Sequence, residues 1–262
     1  MKYHEDFLLE TVKFYKSVIT ELREFKMSGN KEGISHSQIV PYTTYSPWLD
    51  DDKFRAFYDL VKFHTIVDIY RCYELWKLVL NTEKIEGDVL EVGVWRGGTA
   101  ALISGAMLAS SKAAKQQSIL YLADTFEGVV KASDKDTIYK GGEHSDTSES
   151  VVIQLLTDVK AQNYKLLKGI FPDEVNLPQN TKLKFCHIDV DTYQSGFDIF
   201  QTVWSLVSPG GVVVFDDYGC WGCEGITELC NELNPEDATF IHNLNGHGIF
   251  VKHSQMTEKN HV

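Results

Sequence analysis

The sequence contains no apolar run approaching the roughly 20 residues that a membrane-spanning helix requires. Its opening, MKYHEDFLLETVKFYKS, carries acids and lacks the apolar core and cleavage site of a secretory leader. A soluble, cytoplasmic protein is the expectation. Basic residues are in deficit, with 25 Lys plus Arg against 37 Asp plus Glu, and the formal charge of −12 repels phosphate backbones and anionic membrane surfaces. That balance argues against a general nucleic-acid or membrane-surface binder. Cysteines number five in 262 residues, an odd count in a chain long enough to bury its own core, so they read as thiols and not as a disulfide scaffold. The dinucleotide fingerprint G-x-G-x-x-G is also missing. From Gly93 the next glycines come four and five residues on, at Gly97 and Gly98, where the fingerprint needs two and five.

What is present is an ordinary globular composition, 43% hydrophobic and 24% charged, divided into two kinds of text. Residues 1–86 are poor in glycine and helical in period. Leu8, Val12, Tyr15, Ile19 and Leu22 recur at intervals that line up one helix face, predicted to end near Ser28, Gly29 and Asn30. That face docks either on the chain's own core or on a second copy, and a homo-oligomer is expected. A turn-rich aromatic segment with Tyr42, Tyr45 and Trp48 follows, and Asp50, Asp51 and Asp52 can cap a helix beginning near Lys53. A further apolar helix spans roughly Thr65 to Leu80. We group residues 1–86 as a helical extension serving as cap or oligomerisation element, and 87–262 as the main domain.

From Gly87 short apolar runs alternate with helical stretches. Strands are predicted at Val89 to Val92, Ile119 to Ala123, Tyr164 to Lys168, Leu183 to Ile188 and Val212 to Phe215. Such alternation implies parallel strands joined by crossover helices in an open α/β sheet. TFIHNL, Asn245-Gly246 and HGIFVKH then read as two strands around a tight turn, so the sheet should finish in an antiparallel hairpin. The polar stretch from Val130 to Asp146 reads equally as a surface loop or a substrate lid.

The chemistry concentrates at predicted strand ends. Glu91, Gly93, Trp95, Gly97 and Gly98 form a strand, a glycine turn and a helix start, where a ligand backbone can approach closely. Asp124 closes the next strand, where a carboxylate can accept from both hydroxyls of a ribose or, equally, cap a helix. Together, Glu91-Val-Gly93-Val-Trp95-Arg96-Gly97-Gly98 and Asp124-Thr-Phe-Glu127-Gly128 resemble the cofactor half of the macrocin O-methyltransferase (TylF-like) family, enzymes that methylate sugar hydroxyls on antibiotics. The likeness runs on through KGIFPD at 168–173, HIDVDTY at 187–193 and SPGGVVVFDDY at 208–218. It implies a Rossmann-like S-adenosylmethionine methyltransferase fold. It also implies cofactor contacts at Glu91, Gly93, Trp95, Gly97, Gly98, Asp124, Thr125 and Asp189, with Glu91 toward the methionine end and Asp124 on the ribose.

Asp189, Asp191, Asp216 and Asp217 should meet beyond the carboxyl ends of the strands. Like charges so placed need a cation, and oxygen-only donors suit Mg²⁺. The resemblance implies that Asp189, Asp216 and Asp217 are its ligands. It nominates Asp189 as the base too, with His144 and His247 as rivals because imidazole titrates near neutrality. Tyr164 and Lys168 have the spacing of a dehydrogenase dyad but fall in a predicted strand, and Cys220-x-x-Cys223 lacks the further ligands of a structural zinc site. The expectation is therefore a Mg²⁺-dependent O-methyltransferase acting on a sugar-bearing small molecule. A catechol or small-diol methyltransferase and a non-catalytic cofactor-binding assembly protein are the alternatives.

Overall fold

The computed structural model describes residues 2–21, 26–27, 36–37, 45–110 and 118–254. The chain divides into two compact units, Met1–Pro47 and Trp48–Val262. In the first, α1 (Lys2–Glu21) precedes a short antiparallel ladder of β1 (Lys26–Met27) with β2 (His36–Ser37). Leu8, Val12 and Tyr15 of the predicted stripe are exposed, as are Phe7, Leu9 and Phe14 around them. Leu22, Tyr42 and the predicted helix end at Ser28 to Asn30 lie outside the described residues.

The second unit begins with two helices that the sequence reading groups with the extension. Helix α2 (Asp52–Val61) is capped by Asp51, whose side chain accepts from the Phe54 N–H at 3.0 Å. Helix α3 (Ile69–Asn81) is capped by Asp68, which accepts from the N–H groups of Tyr70 and Arg71. Both are integral to this unit because of α4 (Gly98–Ser110). That helix reads GTAALISGAMLAS and is apolar on every side, so it needs cover on the side away from the sheet. Phe54, Leu75 and Trp76 supply it, packing fully buried in one cluster with Leu102 and Ile103. Each such side chain contributes on the order of 1.5–3 kcal/mol by leaving water.

The sheet has seven strands: β3 (Asp88–Val92), β4 (Leu120–Asp124), β5 (Tyr164–Lys168), β6 (Leu183–Ile188), β7 (Val207–Phe215), β8 (Ala238–Asn243) and β9 (His247–Lys252). Their spatial order is β5-β4-β3-β6-β7-β9-β8. The first five of these run parallel, and β9 returns antiparallel to both β7 and β8. All five predicted parallel strands and the terminal hairpin are present. Asn245 and Gly246 make its turn, Gly246 at a φ of +99° that only glycine adopts freely. The sequence order reverses between β3 and β6, and that switch point is where an open α/β sheet presents a crevice. On the near face of the sheet α5 (Glu149–Asp158) packs beside α4, and on the far face α6 (Tyr193–Val203) and α7 (Glu224–Glu232) cover β6 and β7. Tyr164 and Lys168 both lie in β5, so they do not form the dyad of a helix face.

Candidate active site

The crevice at the switch point is built from three strand ends drawn tightly together. The N–H of Asp189 donates to Val92 O, and that of Asp216 to Ile188 O, both at 2.9 Å. Gly93 makes this approach possible. A Cβ on it would stand 1.7 Å from the Asp189 carbonyl oxygen, and its φ of +90° is a left-handed value. Beyond these strand ends Asp191 (φ 62°) and Asp217 (φ 63°) also take left-handed backbone, which costs a non-glycine residue about 1–3 kcal/mol and is tolerated best by Asn and Asp. The four acids 189, 191, 216 and 217 all line one cavity, along with Gly93, Trp95, Asp124, Thr125 and His144.

On the cofactor side, Asp124 is committed to the backbone as well as open to the cavity. One of its oxygens accepts from the N–H groups of Val94 (2.6 Å) and Trp95 (2.8 Å), and the other from Phe126 N–H (2.6 Å). It pins the glycine turn while keeping lone pairs for a ligand. The stretch 130–146, read as loop or lid, is a built wall. Trp95 Nε1 and Arg96 both donate to the Asp146 carboxylate, and Thr147 donates to Trp95 O. Asp136 receives the N–H groups of Ser133 and Tyr193, fixing the other end. His144 sits on this wall with its ring 5.9 Å from that of Trp95.

The acidic cluster is where the structure adds most. Arg71, reaching in from α3, donates through Nη1 to Asp216 (2.6 Å) and Asp217 (3.0 Å), and through Nε to Asp68 (3.0 Å). Burial would lower the Arg71 pKa, but Asp216 and Asp217 reverse that and hold it charged. On Asp216 the same burial is outweighed by His247 and Arg71, leaving its pKa below the ordinary value. Asp189 and Asp191 go the other way. Burial first, then neighbouring carboxylates, push both well above the usual carboxylate range, and Asp217 rises for the same reasons. Tyr139 donates its hydroxyl to Asp191 at 2.7 Å. Among the described residues Arg71 and His247 pair with Asp216 and Asp217, and no ion pair reaches Asp189 or Asp191. Oxygens of Asp189, Asp216 and Asp217 lie within 4.8 Å of one another, a hard, oxygen-only donor set that fits a divalent cation.

Several residues of the sequence reading stand elsewhere. Glu91 is fully buried in mid-sheet, paired with His187 Nδ1 at 2.9 Å, and does not line the cavity. Strand alternation turns its side chain to the face covered by α3. Gly97 and Gly98 also lie off the cavity, where they allow close packing: a Cβ on Gly98 would stand 2.7 Å from the His64 carbonyl. His247 is buried between Glu74 (2.6 Å) and Asp216 (3.0 Å). Burial would lower its pKa, but these two acids raise it to about 9, and it faces them behind the cavity and does not line it. Sequence reasoning missed Arg71 and Glu74, which are lone charges on an amphipathic helix with no motif around them, and Tyr139, hidden in the polar stretch. Cys220 and Cys223 are free thiols, as expected.

The macrocin O-methyltransferase (TylF) family profile matches residues 58–245. The 8-demethyl-8-(2,3-dimethoxy-alpha-L-rhamnosyl)-tetracenomycin-C 4'-O-methyltransferase of Streptomyces olivaceus is 25% identical over 203 residues, 73% of this chain and 76% of that protein. The mycinamicin III 3''-O-methyltransferase of Micromonospora griseorubida is 28% identical over 177 residues, 61% and 67% of the two chains. Among solved structures, the O-methyltransferase NovP matches with a TM-score of 0.60 at 24% identity, covering 73% of this chain and 83% of that one. The calicheamicin methyltransferase CalS11 matches with a TM-score of 0.58 at 15% identity, covering 83% and 99%. At those identities the structural likeness speaks to the fold, which is that of methyltransferases. With the family match spanning the cavity walls from α3 to the hairpin turn, the chain belongs to the macrocin O-methyltransferase family and is an S-adenosylmethionine-dependent O-methyltransferase.

Proposed function

We propose that the protein methylates a sugar hydroxyl on a nucleotide sugar or glycosylated natural product, with Mg²⁺ held at the acidic cluster. The observation that carries this reading is the convergence of Asp189, Asp191, Asp216 and Asp217 on the cavity that the glycine turn opens. The two relatives named above, one of them named for a rhamnosyl-bearing tetracenomycin, support a sugar acceptor.

Under this reading Asp124 and the Gly93–Trp95 turn hold the cofactor, and Thr125 lies beside them. Asp189, Asp216 and Asp217 hold the cation. S-adenosylmethionine supplies an electrophilic methyl group, and a bound divalent cation acidifies and orients an acceptor hydroxyl. Asp189, which the resemblance nominates as ligand and base together, keeps the ligand role. Asp191 lies outside the metal-ligand trio and lines the same cavity, which leaves its carboxylate open to take the proton. Tyr139 orients it through the 2.7 Å hydrogen bond. His247 and Arg71 hold Asp216 ionised and in place before the cation arrives. The wall from 130 to 147 excludes water from the reacting atoms. The partners are a sugar-bearing small molecule and, through the exposed face of α1, a second copy of the chain.

The test is transfer of labelled methyl from S-adenosylmethionine to a panel of nucleotide sugars, glycosides and catechols in Mg²⁺ buffer. Label is expected on sugar hydroxyls. Label on catechols alone would replace the acceptor class, and label on nothing while the cofactor binds would favour an assembly role.

A further inference from the structure

Behind the acidic cluster, on the sheet face covered by α3, Asp216 also meets two histidines that methyl transfer does not use. His187 comes from β6, Asp216 from the end of β7 and His247 from the start of β9, which are adjacent strands. All three are buried, the two histidines completely. Three of their atoms, His187 Nε2, His247 Nε2 and Asp216 Oδ1, have no hydrogen-bond partner. Unpaired buried polar atoms are rare and costly in a native fold, and here three of them share one space.

We propose that these three atoms form a buried site for a divalent transition-metal ion of the zinc type, distinct from the oxygen-only site on the cavity wall. One donor atom from each residue lies within 4.8 Å of the others. His247 Nε2 and Asp216 Oδ1 are 3.0 Å apart yet not aligned as donor and acceptor. Ligand atoms about 2.1 Å from one tetrahedral ion stand about 3.4 Å apart, a little wider than this pair and inside the 4.8 Å span of the three donors.

The outer contacts carry the same message. His187 Nδ1 meets Glu91 Oε1 at 2.9 Å, and His247 Nδ1 meets Glu74 Oε2 at 2.6 Å. A carboxylate on the far nitrogen of each imidazole places the proton there and turns the Nε2 lone pair inward, the arrangement that outer-shell carboxylates impose on metal-bound histidines. It also gives Glu91 and Glu74 a purpose that the cavity does not. Two imidazoles and one carboxylate select zinc, cobalt or a similar ion over Mg²⁺, so the two sites do not compete for the same metal. Asp216 serves both, since each carboxylate oxygen has two lone pairs. The ion would staple β6, β7 and β9 together beneath α3, directly behind the strand ends that carry Asp189, Asp216 and Asp217.

The test needs neither cofactor nor acceptor, so its outcome is independent of the proposed reaction. Protein stripped with chelator is loaded with Co²⁺ in a large excess of Mg²⁺, gel-filtered, and measured for metal content and visible absorption. About one Co²⁺ per chain should remain, with the ligand-field bands of nitrogen coordination. His187→Gln and His247→Gln should abolish retention. Because those buried variants can fail to fold, Glu74→Gln, at the partly exposed end of the chain of contacts, provides a milder probe and should weaken Co²⁺ binding by about 10- to 100-fold. Asp217→Asn should leave retention intact. No retained Co²⁺ in the wild type, or an unchanged spectrum and affinity in folded Glu74→Gln and His187→Gln, would overturn the proposal and leave a proton shared by His247 and Asp216 as the occupant.

Discussion

Asp191 and Asp217 are 26 positions apart in sequence and share one wall of the cavity, yet the reading gives them different tasks. Asp217 is a ligand, so Asp217→Asn should weaken cation binding and lose rate that returns in part as Mg²⁺ is raised. Asp191 takes the proton, so Asp191→Asn should lose rate that Mg²⁺ does not restore, because a refilled metal site still leaves the proton without an acceptor. A general base of this kind is worth about 10²–10⁴ in rate. Titration of kcat against Mg²⁺ for both variants separates the roles. If Asp191→Asn regains activity with Mg²⁺, the base is Asp189 or His144. The D-x-D pair and the later Asp-Asp pair are visible in sequence because each ends an apolar run. Their division of labour is not, since it depends on Tyr139 reaching Asp191 across 52 positions.

Among the elements, α3 has the largest consequence that composition alone conceals. Its apolar residues predict a helix that packs, and Leu75, Trp76 and Val79 do so. Its polar edge carries Arg71 and Glu74 to the ends of β7 and β9, and that follows only from how α3 lies against the sheet. Read from the sequence alone, α3 falls outside the main domain and the acidic cluster has no guanidinium; in the structure α3 belongs to the same unit as the sheet. Removing one partner of a buried ion pair costs about 3–5 kcal/mol, because the remaining charge stays desolvated. Arg71→Met should therefore lower unfolding free energy by about that amount in chelator, measured by urea titration, since it strands Asp216 and Asp217. A loss below about 1 kcal/mol would mean that the guanidinium is a solvated bystander. The strands were easier to read. Each is an uninterrupted apolar run bounded by turn residues, and Asn245-Gly246 marks the hairpin locally. By contrast the wall at 130–146 is held by contacts to residues at 95, 191, 193 and 224, which no local pattern announces.

The molecule as a whole carries a net charge of −12 and concentrates part of that excess in one buried place. Asp189, Asp191 and Asp217 have folded-state pKa values above the ordinary 3.8. For such groups the native state holds more protons than the unfolded chain between the two values, so stability falls as pH rises through that window. Below the ordinary value the penalty is absent, and above the folded values it is complete. A bound cation favours the ionised forms and removes the penalty. The difference in Tm between Mg²⁺ and chelator should therefore widen from about pH 4 upward. A difference that is flat or shrinks with pH would contradict the placement of a cation among these acids.

The central claim is that this cluster of acids holds a divalent cation that serves methyl transfer to a sugar hydroxyl. Its most direct test is the initial rate of labelled methyl transfer to the best acceptor of the panel, in thorough chelator and after adding back Mg²⁺. The account predicts that chelator abolishes turnover while S-adenosylmethionine still binds, and that Mg²⁺ restores it. Full turnover in thorough chelator would contradict it.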